Sequence, residues 1–231
     1  MAEKHTAEMR KNHRARVRKR ILEQGASSLE LYKLLEAFLY SVRPRVDTYP
    51  IAHELLAKFK TVDGVFSAPL DELMKVDGVG KVTAEHIMLT GELINRAVIS
   101  DLTSAPLDAD ARVIPLLVWM MRNSKTDTVA LIGLDSKMNY LDFKILDAEI
   151  ASEEIKNSIL RFAKSGAEKI IFAHRHPGRI GVPTAADIES TKVLVKMCSG
   201  AGVTAVEHYV VTKSGAFGIM KDRKAAFGGE V

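Results

Sequence analysis

His174 and His176 stand two residues apart, and Asp187 follows after ten more. Two imidazoles and one carboxylate are donors that zinc takes when its fourth position is left to water. In extended chain, residues two apart point the same way, so both rings can face one ion. Lys169 to Ala173 (KIIFA) reads as a short buried strand ending at the histidines, and α/β folds place their chemistry at strand ends. Pro177, Gly178, Gly181 and Pro183 turn the chain back. Asp187, near the start of a helix, can then return as third ligand, with His174 binding through either ring nitrogen. An ion so held lowers the pKa of bound water toward neutrality and polarises a carbonyl. His-x-His alone is often a surface or core pair, and Asp187 alone could cap its helix. Strand end, Pro/Gly loop and downstream carboxylate together point to one Zn2+ per chain.

A second chemical feature lies in the other half. In Leu73-Met74-Lys75-Val76-Asp77-Gly78-Val79-Gly80-Lys81-Val82-Thr83-Ala84, an apolar helix ends, a Gly-x-Gly turn follows, and a new helix opens near Lys81. Gly78 and Gly80 permit positive φ and close backbone approach. The free N–H groups of the second helix can hold a phosphate oxygen, with Lys81 beside them. The segment resembles the hairpin of the helix-hairpin-helix family, which grips DNA backbones without reading sequence; a mere tight turn is the alternative. The net charge is only +4, but Lys4, Arg10, Lys11, Arg14, Arg16, Arg18, Lys19 and Arg20 crowd the first twenty residues. Arg16, Arg18, Lys19 and Arg20 are candidate phosphate contacts, or else a solvated helix face.

These features sit on two kinds of scaffold. The first ~100 residues read as helices throughout, with no β-rich run before about residue 125. Ser27-Ser28 is placed as the cap of a helix carrying Leu29, Leu31, Leu34, Leu35 and Phe38, with Glu30 and Glu36 on its polar side. Asp47, Thr48 and Pro50 signal the next helix start. Thr103-Ser104-Ala105-Pro106 marks the boundary, giving a helical domain over 1–103 and an α/β domain over 104–231. In the second, a helix over 113–121 precedes a strand over 126–134, and Tyr140 to Ile150 reads as its hairpin partner. Ser152 caps a helix ending at Ser165-Gly166. After KIIFA come a helix over 187–199 and a strand over 202–212.

With 47% hydrophobic and 27% charged residues, the composition is that of a globular protein with a packed core. The single cysteine, Cys198, excludes an internal disulfide and suits a reducing compartment. The chain shows no signal peptide and no apolar run near the roughly 20 residues that span a bilayer. A cytoplasmic protein without membrane contact is expected.

His174-x-His176, ten residues, then Asp187, with Thr184 three before the aspartate, resembles the JAMM motif of the JAB/MPN metallopeptidase fold. Within that fold the chain resembles the RadC family. The match runs through His176-Pro177, Pro183-Thr184 and Glu207-His208, and in the first half through Arg45-x-Asp47-Thr48, Ile51-Ala52, Leu55-Leu56 and the hairpin. The resemblance implies a helix-hairpin-helix domain followed by a cytidine-deaminase-like mixed sheet. It also implies hydrolysis of a peptide or isopeptide bond in an unknown protein or peptide substrate. Thr184 stands where the motif's serine helps hold the oxyanion. The motif's general acid/base glutamate, seven residues before Leu134, is here Asp127, one methylene shorter. A misplacement near 1 Å costs about a hundredfold in rate, so low activity is expected. Arg175 and Arg179 also depart from the family pattern; they read first as solvated loop arginines, otherwise as contacts for an anionic substrate. RadC-like proteins are commonly labelled DNA repair proteins, a role that fold resemblance does not establish. Two alternatives stand beside the hydrolase: a non-catalytic JAB/MPN scaffold that binds DNA, and a metal-dependent nuclease. A homodimer is left open.

Overall fold

The computed structural model describes residues 2–124, 126–150, 152–175 and 182–221, with side chains from His13 onward. The chain divides into two compact units, Met1–Ala97 and Val98–Val231. No helix among the described residues is long and apolar enough to cross a membrane.

The first unit is helical: α1 (Ala2–Gln24), α2 (Leu31–Leu39), α3 (Tyr49–Phe59), α4 (Val62–Phe66), α5 (Leu70–Met74) and most of α6 (Lys81–Leu102). α1 is charged along most of its length but carries an apolar edge. Val17 is buried against Leu29 and Tyr40, with Ile21 and Ala37 beside them. The main core gathers Leu35, Leu39, Ile51, Leu55, Val65, Leu73 and Ile87. α3 starts where the sequence signals it, with Asp47 Oδ1 accepting the Tyr49 N–H and Pro50 in the first turn. Gly91 lets α6 approach α4: a Cβ there would stand 2.0 Å from the Phe66 carbonyl oxygen.

Two expectations fail in α2. Ser27 and Ser28 do not cap it but lie in a short 3-10 turn over Ala26–Ser28, and the helix opens at Leu31. The Ser28 hydroxyl donates to the Gly25 carbonyl instead. Glu36 is buried rather than on the polar face. Its Oε1 accepts from Tyr40 Oη at 2.8 Å and lies 2.9 Å from His13 Nε2, so α1 brings the polar partner that makes burial tolerable.

The second unit is a mixed five-stranded sheet between helices. α7 (Asp110–Met121) leads into β1 (Thr128–Leu134) and β2 (Tyr140–Leu146). α8 (Glu153–Lys164), β3 (Lys169–Arg175), α9 (Ala185–Gly200), β4 (Thr204–Val211) and β5 (Ala216–Gly218) follow. The strand order is β2-β1-β3-β4-β5; β3 and β4 run parallel and the other pairs antiparallel. β2 stops at Leu146, short of the expected Ile150. The sequence alternates faces along β3. Ile170 and Phe172 pack with Ile155, Ile159 and Phe162 of α8 and Leu194 of α9. Ile171 and Ala173 pack with Leu116, Leu117 and Met121 of α7. The last turn of α6, with Ile99 and Leu102, joins this second core. Ser152 caps α8 as its position suggests, accepting the Ile155 N–H.

Candidate metal centre and nucleic-acid interface

β3 is flanked by β1 and β4, so a side chain near its end is enclosed by neighbours on both sides. His174 occupies that place, paired with Val129 of β1 and Val210 of β4, and is 2% exposed. Following Ile170 and Phe172 at two-residue spacing, it faces the α9 side of the sheet.

α9 opens with a capping box. Thr184 is the N-cap, and its Oγ1 accepts the Asp187 N–H while the Asp187 carboxylate reaches back. Oδ2 of Asp187 accepts the Thr184 N–H at 2.7 Å and the Thr184 hydroxyl at 2.8 Å. Oδ1 faces His174 Nε2 at 3.1 Å. Asp187 therefore caps its helix and faces His174 at once. The Thr184 hydroxyl, a candidate for the oxyanion, is directed in this arrangement to Asp187.

The other ring nitrogen of His174, Nδ1, lies 2.7 Å from His208 Nε2. His208 belongs to β4, and its Nδ1 lies 2.7 Å from the Thr191 hydroxyl one turn beyond Asp187. Burial, with His174 beside it, holds His208 well below the ordinary imidazole pKa, so its ring is neutral. Glu207, adjacent in sequence, serves a different end. Its Oε1 accepts the N–H groups of His208, Ile219 and Met220 at 2.8, 3.1 and 2.6 Å, and its Oε2 that of Lys221 at 2.9 Å. That buried carboxylate ties the chain after β5 to β4. Sequence reasoning noted Glu207-His208 only as a pair and gave neither residue a role; Thr191 carried no signal.

His176 and Arg179 lie outside the described residues, as do Pro177, Gly178 and Gly181. Among the described residues no group of three metal-ligating side chains comes together; His174 and Asp187 supply two donors. Two ligand atoms on a tetrahedral zinc at 2.0–2.1 Å stand about 3.3 Å apart. The observed 3.1 Å separation of Nε2 and Oδ1 fits that edge with little adjustment.

Asp127 immediately precedes β1 and is exposed. It stands two residues before Val129, the register partner of His174. Arg175 corrects an expectation. It is buried and its guanidinium donates to the Met121 carbonyl, so it closes the C-terminal end of α7 rather than lying in solvent.

In the helical unit, Gly78 has φ 76°, and a Cβ there would meet Ile51 at 2.9 Å. Gly80 has neither constraint, with no atom within 4 Å of a Cβ; its carbonyl accepts the Ala84 N–H at the start of α6. Arg43, Met74 and Lys75 line a shallow cleft with Val76 to Gly80. Lys81 is exposed, 3.8 Å from Glu85. On α1, Arg16, Arg18 and Lys19 are exposed. Arg18 lies over the Tyr40 ring at 5.9 Å and Lys19 lies 3.6 Å from Glu23. Arg20 is half-buried and donates to the Ser28 carbonyl, so part of the arm's charge serves the fold.

Comparison with known proteins agrees with this architecture. Residues 107–225 match the RadC-like JAB domain, and residues 61–90 match the helix-hairpin-helix motif. A UPF0758 protein of Fusobacterium nucleatum is 31% identical over 224 residues, covering 91% of this chain and 95% of its own length. A UPF0758 protein of Acinetobacter baylyi is 29% identical over 209 residues, covering 87% and 76%. The chain thus joins a helix-hairpin-helix unit to a mixed-sheet JAB unit, and it belongs to the RadC family.

Proposed function

We propose that the second unit is a zinc-dependent hydrolase of the metallopeptidase or isopeptidase type, and that the first holds DNA without sequence preference. The observation that carries the hydrolase reading is the meeting of His174 Nε2 and Asp187 Oδ1, 3.1 Å apart at the end of β3. A zinc ion held by His174, Asp187 and His176 would supply Lewis acidity and a water deprotonated near neutral pH. The chain's own residues then divide the remaining work. Asp127, immediately before β1, takes the proton of the attacking water on a carboxylate oxygen and returns it to the leaving amine. Thr184 holds Asp187 in place and, on releasing its proton contact, donates to the developing oxyanion. The single cysteine, Cys198, is buried and leaves no internal disulfide to form, which suits a reducing, cytoplasmic setting.

The DNA reading is supported by the motif match over 61–90 and by the open Gly80 turn at the start of α6. Exposed Arg16, Arg18, Lys19 and Lys81 add phosphate contacts, which position without specifying sequence.

Zinc content of the purified full chain tests the first reading. One ion per chain is expected, lost in His174→Ala and in His176→Ala. A wild type without zinc after dialysis against the metal would overturn it. A second reading, a JAB scaffold without catalysis, is favoured by one feature, the aspartate at position 127 where the family carries glutamate. Zinc binding without hydrolysis of any peptide or isopeptide substrate would select it.

A further inference from the structure

Thr191 Oγ1 lies 2.7 Å from the Asp187 carbonyl oxygen and 2.7 Å from His208 Nδ1. His208 Nε2 in turn lies 2.7 Å from His174 Nδ1. Proton counting gives this chain of contacts a direction. A carbonyl has no proton, so the Thr191 hydroxyl must donate to it, the usual bond of a helical threonine four residues back. The hydroxyl has only that proton, so toward His208 it accepts, and His208 carries its proton on Nδ1. A neutral imidazole protonated there presents a lone pair at Nε2. His174 must then donate from Nδ1, which leaves a lone pair on its own Nε2, facing Asp187 Oδ1 at 3.1 Å. Nitrogen lone pair and carboxylate oxygen repel at that distance; a cation between them turns repulsion into attraction.

We propose that Thr191 and His208 are positioning residues that fix the tautomer of His174 and so pre-form the cation site between His174 and Asp187. The proposal rests on the zinc reading above and deepens it. The relay begins and ends on one residue: the Asp187 carbonyl sets the proton order, and the Asp187 carboxylate faces its result. Partners that orient a ligating histidine in this way are worth about 10–100-fold in metal affinity.

Thr191→Val keeps the shape of the side chain and removes the hydroxyl. His208 then has no acceptor at Nδ1, so its proton moves to Nε2. His174 must accept at Nδ1 and carry its own proton on Nε2, where the ion would sit. Two measurements on the full chain test this. Long-range proton–nitrogen NMR of the metal-free protein at mildly alkaline pH reads the tautomers. Competition with a chromophoric chelator reads zinc affinity. Wild type should show His174 protonated on Nδ1. Thr191→Val should show it on Nε2 and bind zinc about 10–100-fold more weakly. Thr191→Ser, which restores the hydroxyl, should return both readouts to wild type and separates the relay from a packing defect. His174 protonated on Nε2 in wild type, or wild-type zinc affinity in Thr191→Val, would overturn the proposal. A wild type that binds no zinc but changes tautomer with Thr191→Val would sink the zinc reading and leave the relay standing.

Discussion

Asp187 faces His174 with one carboxylate oxygen, 3.1 Å from Nε2, while its other oxygen closes the first turn of α9 through Thr184. Helix capping and donor placement are therefore coupled: the contact that starts α9 also fixes the angle of the carboxylate.

Substitution at Asp187 should separate these tasks. In Asp187→Asn the amide oxygen can still accept from Thr184, and the amide nitrogen can donate to His174 Nε2. Zinc should be lost, while the thermal midpoint measured in chelator stays at or above that of wild type. Asp187→Ala should lose zinc and also the cap, at about 0.5–2 kcal/mol. Equal destabilisation by the two variants would show that the carboxylate's stabilising role is not the capping bond.

Asp127 is the weak point of the proposed chemistry. Positioned general-base catalysis contributes about 10²–10⁴-fold, and the aspartate reaches less far than glutamate. Hydrolysis of a peptide or isopeptide substrate should rise in Asp127→Glu and fall to background in Asp127→Asn, with zinc content unchanged in both. Identical rates for wild type and Asp127→Asn would remove this residue from the mechanism.

The two hairpin glycines should behave differently. Gly78 has positive φ and stands close to Ile51, so Gly78→Ala should cost about 1–2 kcal/mol or more in stability. Gly80 has open space around it, so Gly80→Ala should change stability by less than about 0.5 kcal/mol. Its added methyl would stand where a phosphate approaches, and affinity for duplex DNA should fall several-fold at low salt. Undiminished DNA binding by Gly80→Ala would place the phosphate contacts elsewhere, with the α1 arginines the next candidates.

Acid should weaken a link between α7 and the end of the sheet. The Asp110 carboxylate accepts from Lys221 Nζ and Tyr209 Oη, each at 2.6 Å. The Lys221 bond first, then the Tyr209 bond, lower its pKa below 3.8. A depressed folded pKa gives stability that is present above the unfolded value and lost as pH falls through the folded one. Denaturation of wild type and Asp110→Asn should differ at neutral pH and converge as pH drops below 3.8. A gap that persists unchanged into acid would mean that the carboxylate's charge is not the source. Asp110 is largely exposed, so the effect is expected to be small.

Local features were legible in the sequence. The Asp47-Thr48-Tyr49-Pro50 start of α3, the Ser152 cap of α8 and the Gly-x-Gly turn before α6 are decided by residues a few positions apart, through hydrogen bonds and backbone angles that need no distant partner. The same holds for Asp187 at the head of α9 and for a histidine at the end of a β-branched run. Tertiary structure decided what depends on distant partners. Glu36 reads as a polar-face residue until α1 brings His13 over it. Arg175 reads as a loop arginine until β3 lies beside the end of α7, 54 residues away in the chain. The relay from Thr191 through His208 to His174 needs β4 paired in parallel with β3 and α9 laid across both. Its contacts span 17 and 34 residues. A sequence states which donors and acceptors exist; burial removes water as their alternative partner, and only then does the register of strands decide which of them must meet.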